Sequence, residues 1–308
     1  MQNIKKVAIL GAGAMGAYFA SRFFDAAGFS TALIAKDQRK NRLERDGLVV
    51  NGKAYAIPVL HPDQPTSPVD LIIVALKHHH LAVAASGLEK LVGPATTIIS
   101  VMNGLDSEEY MGSIYGKDKM LYAVSVAIDA VRQGNQITYS KPGKHYFGEA
   151  ANSKTHLSQR VRRVQEAFDR AGIAYETPPD MIRMLWWKFM VNVGLNQASA
   201  VLRAPYGVFQ TSADARALME ALMKEVIALA EVKEVNLTSR DIEDWYTFQK
   251  TLSPQGKTSM LQDIEAGRKT EVEMFAGKVE QLGQAHGVPT PVNQTVYRII
   301  RVLEQHPQ

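Results

Sequence analysis

Three polar side chains, Lys188, Asn192 and Asn196, recur every four residues in a stretch that also holds Leu185, Trp186, Phe189, Met190, Val193 and Leu195. That spacing puts them on one face of a helix. A lysine and two asparagines are costly to bury in such company without partners. They could line the solvent face of an amphipathic helix, but the apolar flanks are broad for that. One ammonium and two amides can hold and protonate a ketone oxygen, provided the lysine pKa is depressed or its proton is held in a hydrogen bond. A second polar set runs through Thr258–Asp263 and Gly267–Glu271. Ser259 stands where a helix should begin, so its hydroxyl serves as a cap or, with free N–H groups beside it, binds a carboxylate. Glu271 is one of several acids on a charged stretch; the pattern alone does not separate it from Glu273, and a surface ion pair is the plain reading of either.

The third set is Gly11-Ala12-Gly13-Ala14-Met15-Gly16, a G-x-G-x-x-G turn between an apolar strand and a helix. Gly11 suits the tight turn, Gly13 a close approach of backbone to a pyrophosphate, and Gly16 the packing of helix on strand. The helix N-terminus then receives a diphosphate through its N–H groups and dipole. A carboxylate at the end of the second strand would select the ribose hydroxyl of NAD. Here Leu33-Ile34-Ala35 is followed by Lys36, with Arg39 and Lys40 behind it, which suits the 2′-phosphate of NADP(H). Lys36 and Arg39 are both candidates for that contact. Asp37 is the counter-signal, because a shift of one residue would place it on the ribose.

The elements that must position these groups are legible in outline. Strands are expected at Val7–Leu10, Thr31–Ala35, Val69–Ala75, Thr97–Val101 and Leu121–Ile128, alternating with helices such as Ala14–Ala27. That alternation predicts an α/β, doubly wound parallel sheet. Gln136–Tyr139 and His145–Phe147 read as a hairpin around Lys141-Pro142-Gly143, and a helix at Leu157–Ala171 with a strand at Ala174–Glu176 would close the domain. Thr177-Pro178-Pro179-Asp180 reads as a helix start, Thr177 capping it. Beyond it the chain reads as all helix, at 179–200, 212–235, 239–250, 258–286 and 292–305. The expected domains are 1–178, Rossmann-type, and 179–308, helical.

Composition narrows the rest. The 308 residues carry a net charge of +4 and no cysteine, which excludes disulfides, thiolate metal sites and thiol catalysis. No run approaches the ~18 apolar residues of a membrane span, and the N-terminal run is short for a signal segment, so a cytoplasmic protein is expected. No dense basic block or basic–aromatic interleaving points to nucleic acid. His78-His79-His80 invites a metal reading, but no carboxylate cluster completes a site, and no metal is expected.

Together these motifs resemble the ketopantoate reductase (2-dehydropantoate 2-reductase) family along essentially the whole chain. The resemblance is carried by Gly11–Gly16, Val74-Ala75-Leu76-Lys77, Asn103-Gly104, Trp187-Lys188-Phe189-Met190-Val191-Asn192 with Asn196, Ser259-Met260-Leu261-Gln262-Asp263 with Thr270-Glu271, and Gly287–Asn293. It implies a Rossmann domain joined to a helical one with the active site in the cleft between them, and NADPH-dependent reduction of 2-dehydropantoate to (R)-pantoate in pantothenate synthesis. It implies Lys188 as proton donor, Glu271 holding the substrate hydroxyl or the lysine, Asn192 and Asn196 positioning substrate, and Ser259 on its carboxylate. Lys77 and Asn103 would line the cofactor side, with Lys36 on the 2′-phosphate. Two positions depart from the family pattern, Tyr206 and Gly256, both in segments expected to touch substrate. The alternatives are another 2-oxo acid as substrate, or a non-catalytic NADP(H) sensor, which need not keep Lys188, Asn192, Asn196 and Glu271 together. A helical second half could support a homodimer.

Overall fold

The computed structural model describes residues 3–64 and 67–306. The chain forms two compact units, Met1–Ile182 and Arg183–Gln308.

The first unit is an α/β domain built on an eight-stranded sheet. Its strands are β1 (Lys6–Leu10), β2 (Ser30–Ile34), β5 (Val59–Leu60), β6 (Val69–Val74), β7 (Val92–Ser100), β8 (Met120–Ile128), β11 (Pro142–Gly148) and β12 (Tyr175–Glu176), in the order β12-β11-β8-β7-β6-β1-β2-β5. The run from β5 to β8 is parallel, and β11 joins β8 antiparallel. The chain leaves β1 toward β2 and later returns to its other side as β6, so the winding reverses between β1 and β6. The central strands are apolar on both faces. Val7 and Ile9 of β1 and Leu71 and Ile73 of β6 face one core, and their neighbours Ala8, Leu10, Ile72 and Val74 face the other. α1 (Ala14–Asp25) and α5 (Gln159–Ala171) cover the first core, while α3 (Leu81–Ala85) and α4 (Ser107–Tyr115) cover the second. This is the two-sided burial of a doubly wound sheet. α2 (Asp37–Asp46) follows β2.

A second sheet was not foreseen. β3 (Leu48–Val50), β4 (Lys53–Tyr55), β9 (Val131–Gln133) and β10 (Gln136–Thr138) pair in the order β4-β3-β10-β9. The hairpin expected between Gln136–Tyr139 and His145–Phe147 does not form. β10 turns back on β9 through Gly134, at φ +64°, while β11 pairs with β8. The Asp129 carboxylate accepts from the Ser140 and Lys141 amides, both at 2.8 Å, and from the Ser140 hydroxyl, so the chain changes sheets there.

The regular elements among the second unit's described residues are all helices: α6 (Met181–Val191, begun at the end of the first unit), α7 (Gln197–Leu202), α8 (Tyr206–Thr211), α9 (Ala213–Val232), α10 (Ser239–Gln249), α11 (Ser259–Glu265), α12 (Lys278–His286) and α13 (Pro291–Gln305). Three expectations need correction. Thr177 is no cap: its Oγ1 accepts from Gln165 Nε2, and the helix opens at Met181, whose amide is held by the Ala150 carbonyl. The helix expected over 179–200 is interrupted by a π turn at Asn192–Asn196. The helix expected over 258–286 breaks after Glu265. Gly267 turns at φ +59°, the Arg268 amide bonds back to the Asp263 carbonyl, and helix resumes through a second π turn at Glu273–Gly277.

Candidate active site

The carboxyl ends of four neighbouring parallel strands deliver the expected groups of the first unit. β2 is followed by Lys36, β1 by Gly11–Gly16, β6 by Lys77 and β7 by Asn103. Ligands of open α/β sheets sit outside such ends, beside the strand where the winding reverses. The glycine turn is shaped for close approach. Gly11 sits at φ +106°, and a Cβ there would lie 2.4 Å from the Ala75 carbonyl oxygen; one on Gly16 would lie 1.7 Å from the Gly11 carbonyl oxygen. Gly13 is different: its φ of −73° is ordinary, and a Cβ would meet only the Ala75 oxygen at 4.0 Å. α1 opens there with no side-chain cap and no acid in its first turn. A helix start with that opening is a fitting cradle for a phosphate.

Lys36 precedes α2, and its ammonium is paired with Asp63 at 3.1 Å. Sequence reasoning missed Asp63, and it missed Arg132. The Arg132 guanidinium on β9 donates to the Ala12 carbonyl of the glycine turn, and to Gly134 O at 2.7 Å. Burial lowers its pKa, and so do the neighbouring charges of Arg39 and Arg42. A residue over a hundred positions away gave no local signal of this contact. Hydrogen bonds tie together the two sides of the Asn103 loop. Ser100 and Ser107 hydroxyls lie 2.8 Å apart, Ser107 donates to buried Glu108 at 2.8 Å, and Gly104 turns at φ +96°. His78–His80 form a short 3-10 turn after Lys77.

In the second unit, the π turn alters the face that carries Lys188, Asn192 and Asn196. In α geometry four residues overshoot a turn by about 40°, so Asn196 would stand about 80° round from Lys188. A π turn holds more than four residues, so the second step falls short of a turn instead, and Asn196 swings back toward Lys188. Gly194 in this turn lets α9 approach: a Cβ there would lie 2.4 Å from Met223 Cγ. Asn192 and Asn196 are buried, and Lys188 is partly so. Burial pushes the Lys188 pKa down to about 8.

Ser259 is not the cap of α11. Thr258 does that work, its Oγ1 accepting from the Leu261 amide at 3.1 Å and donating to Ser199 Oγ at 3.2 Å. The exposed Ser259 hydroxyl is thereby released from capping and lies 3.5 Å from Asn196 Nδ2. Thr258→Val keeps the shape and removes the cap. It should lower the stability of this unit by about 1–2 kcal/mol in urea unfolding; an unchanged midpoint would sink that reading. Glu271 is buried where the chain enters the second π turn, its carbonyl accepting from Met274 N at 3.0 Å and Phe275 N at 3.2 Å. The Thr270 amide beside it is held by Glu304 of α13 at 2.7 Å.

The two positions flagged as departures touch each other. The Tyr206 ring packs on Gly256, where an added Cβ would lie 2.8 Å from Tyr206 Cδ2, and the Tyr206 amide donates to the Gly256 carbonyl at 2.9 Å.

Two family models match this chain, ketopantoate reductase PanE/ApbA over residues 7–152 and its C-terminal part over residues 180–304. The chain belongs to the ketopantoate reductase family. A 2-dehydropantoate 2-reductase of Archaeoglobus fulgidus is 26% identical over 98% of this chain and 99% of its own length. The fold is shared with the dimeric ketopantoate reductase from Staphylococcus aureus, at TM-score 0.82 and 22% identity over 98% of this chain and 100% of that one. It is also shared with a D-mandelate dehydrogenase solved with NADH and anilino(oxo)acetate, at TM-score 0.87 and 20% identity over 97% of this chain and 98% of that one. Among the described residues no helix is long and apolar enough to cross a membrane.

Proposed function

We propose that the chain reduces 2-dehydropantoate to (R)-pantoate with NADPH. The observation that carries this reading is a partly buried lysine aligned with two buried amides by a π turn, in a chain whose other unit offers an open glycine cradle at a helix start. Gly11, Ala12, Gly13, Ala14, Met15 and Gly16 would hold the diphosphate, with Lys77 and Asn103 toward the nicotinamide side. The bound nicotinamide supplies a hydride. Lys188 gives its proton to the ketone oxygen, where negative charge develops and an ammonium helps most. Asn192 and Asn196 orient the substrate, Ser259 binds its carboxylate, and Glu271 holds its hydroxyl or the lysine. By likeness to the dimeric relative, a homodimer is the assembly we propose.

Lys36 is the proposed contact for the 2′-phosphate, in competition with Asp63. Lys36→Ala should raise the Kd for NADPH about ten-fold and leave NADH within two-fold, since a charge-assisted hydrogen bond to one phosphate is lost. If Arg39→Ala does this and Lys36→Ala does not, the assignment passes to Arg39.

A second reading, reduction of a different 2-oxo acid, is favoured by the Tyr206–Gly256 contact. A ring packed on a glycine just before Thr258 and Ser259 could reshape the carboxylate end of the site. NADPH oxidation across a panel of 2-oxo acids separates the two. Ketopantoate should give the highest kcat/KM, and a clear preference for an aromatic 2-oxo acid would establish the second reading instead.

A further inference from the structure

One side chain joins the two π turns of the helical unit. Gln197 is completely buried. Its Nε2 donates to the Val193 carbonyl in the first π turn at 2.8 Å and to Asn293 Oδ1 at 3.0 Å. Its Oε1 accepts from the Ala276 amide in the second π turn at 2.9 Å. A π turn displaces backbone groups from the regular helix ladder, and buried backbone groups need partners. A single carboxamide serves one acceptor in the first turn and one donor in the second. It can do so in only one orientation, because its two ends differ.

That orientation is fixed from behind. Asn293 Nδ2 donates to Glu225 Oε2 at 2.7 Å and to the Leu222 carbonyl at 3.3 Å, which leaves its Oδ1 facing Gln197. Glu225 in turn accepts from the Val292 and Asn293 amides at 2.8 and 3.0 Å, where its charge suits the opening turn of α13. A chain of carboxylate and amides therefore runs from α9 and α13 into both π turns.

We propose that Gln197 is a positioning residue that sets the Lys188–Asn192–Asn196 face in register with Glu271. The inference rests on the reading that those four groups face the substrate. The first π turn carries Asn192 and Asn196 and begins four residues, about one α-helical turn, after Lys188. The second, closed by the Gly277 amide on the Val272 carbonyl at 3.0 Å, begins two residues after Glu271, whose own carbonyl accepts from Met274 N and Phe275 N. A shift of either turn against the other moves the ammonium and amides relative to the carboxylate, and a misplacement of about 1 Å can cost about 100-fold in rate.

The test is Gln197→Met, which keeps length and volume and removes every hydrogen bond. We expect kcat to fall about 10- to 100-fold while the Kd for NADPH stays within two-fold. The pH above which kcat declines should move up by about half a unit or more as water reaches Lys188. Gln249→Met replaces a buried glutamine of α10 outside this chain of amides and should leave kcat within two-fold. Lys188 titration, followed by NMR of 13C-labelled lysine in the ligand-free protein, reads the same displacement without any substrate. Should Gln197→Met not fold, Gln197→Glu carries the test: it keeps the acceptor for Ala276 and turns an acceptor against Val193, and the same two shifts are expected. A normal kcat with an unmoved Lys188 titration overturns the proposal, and so does an equal loss in Gln249→Met. If the wild-type protein reduces no 2-oxo acid, the functional reading fails, and the Lys188 titration still decides whether Gln197 positions it.

Discussion

Lys188→Ala should lower kcat for reduction of the 2-oxo acid by about a thousand-fold, in the middle of the range for losing a general acid. NADPH affinity should stay within two-fold, because the glycine cradle belongs to the other unit. The pH dependence follows from the direction of the shift. Burial holds the Lys188 pKa at about 8, and the proton donor must be charged. Reduction should be flat below about pH 8 and fall ten-fold per pH unit above it, whereas the reverse oxidation, which needs the neutral amine, should rise ten-fold per pH unit up to about pH 8 and level off above it. In Lys188→Ala both limbs should vanish together with the rate. A variant that keeps the wild-type rate and profile would remove Lys188 from the chemistry.

The same burial makes a stability prediction of opposite sign. The unfolded lysine titrates near 10.5 and the folded one near 8, so between these values the unfolded state binds more protons. Stability therefore rises with pH across that window. Below about pH 8 the ammonium is charged in both states, and the folded state bears the full desolvation cost, on the order of 3 kcal/mol. Lys188→Met should accordingly raise the neutral-pH midpoint of urea unfolding while abolishing turnover. Loss of both activity and stability would show that the lysine has structural partners that outweigh its burial.

How much of this was legible from residue order depends on the range of the interaction that decides each feature. Strand–helix alternation along β1, β2, β6, β7 and β8 is a local pattern, and it placed Gly11–Gly16, Lys36, Lys77 and Asn103 at strand ends. The second sheet was not legible, because it is joined by β3 pairing with β10, Val49 with Gln136, across nearly ninety residues. The four-residue spacing of Lys188, Asn192 and Asn196 was visible, but the π turn that aligns them was not. It depends on Gly194 against Met223 of α9 and on Gln197 against Ala276 and Asn293, all distant in sequence. Gly267 did carry a local signal of the break in the expected 258–286 helix. The acidic and basic residues around it fitted a charged helix face well enough to hide it. Residue order offered Ser259 as the cap of α11, and the Thr258 hydroxyl takes that role instead, accepting from the Leu261 amide while donating to Ser199, 59 residues away in sequence.

The glycine turn yields two variants that should fail in different ways. Gly16→Ala puts a methyl 1.7 Å from the Gly11 carbonyl oxygen, a backbone atom with no freedom to rotate away. Either α1 or the Gly11 turn must move, and the overpacking should cost about 3 kcal/mol or more. For a unit of this size that lowers Tm by about 10 °C, and cofactor binding is lost with the turn. Gly13→Ala meets nothing closer than 4.0 Å at an ordinary backbone angle, so the fold should be unharmed and Tm should stay within about 2 °C. Its methyl instead stands where a pyrophosphate must approach the backbone, and losing those hydrogen bonds should raise the Kd for NADPH about 100-fold. Calorimetry and NADPH fluorescence titration on the two proteins measure both effects. Normal NADPH binding by Gly13→Ala would show that the turn is not the phosphate cradle, whatever its sequence. Native melting of Gly16→Ala would show that the α1–β1 contact tolerates a side chain, and the role of the third glycine would then need another explanation.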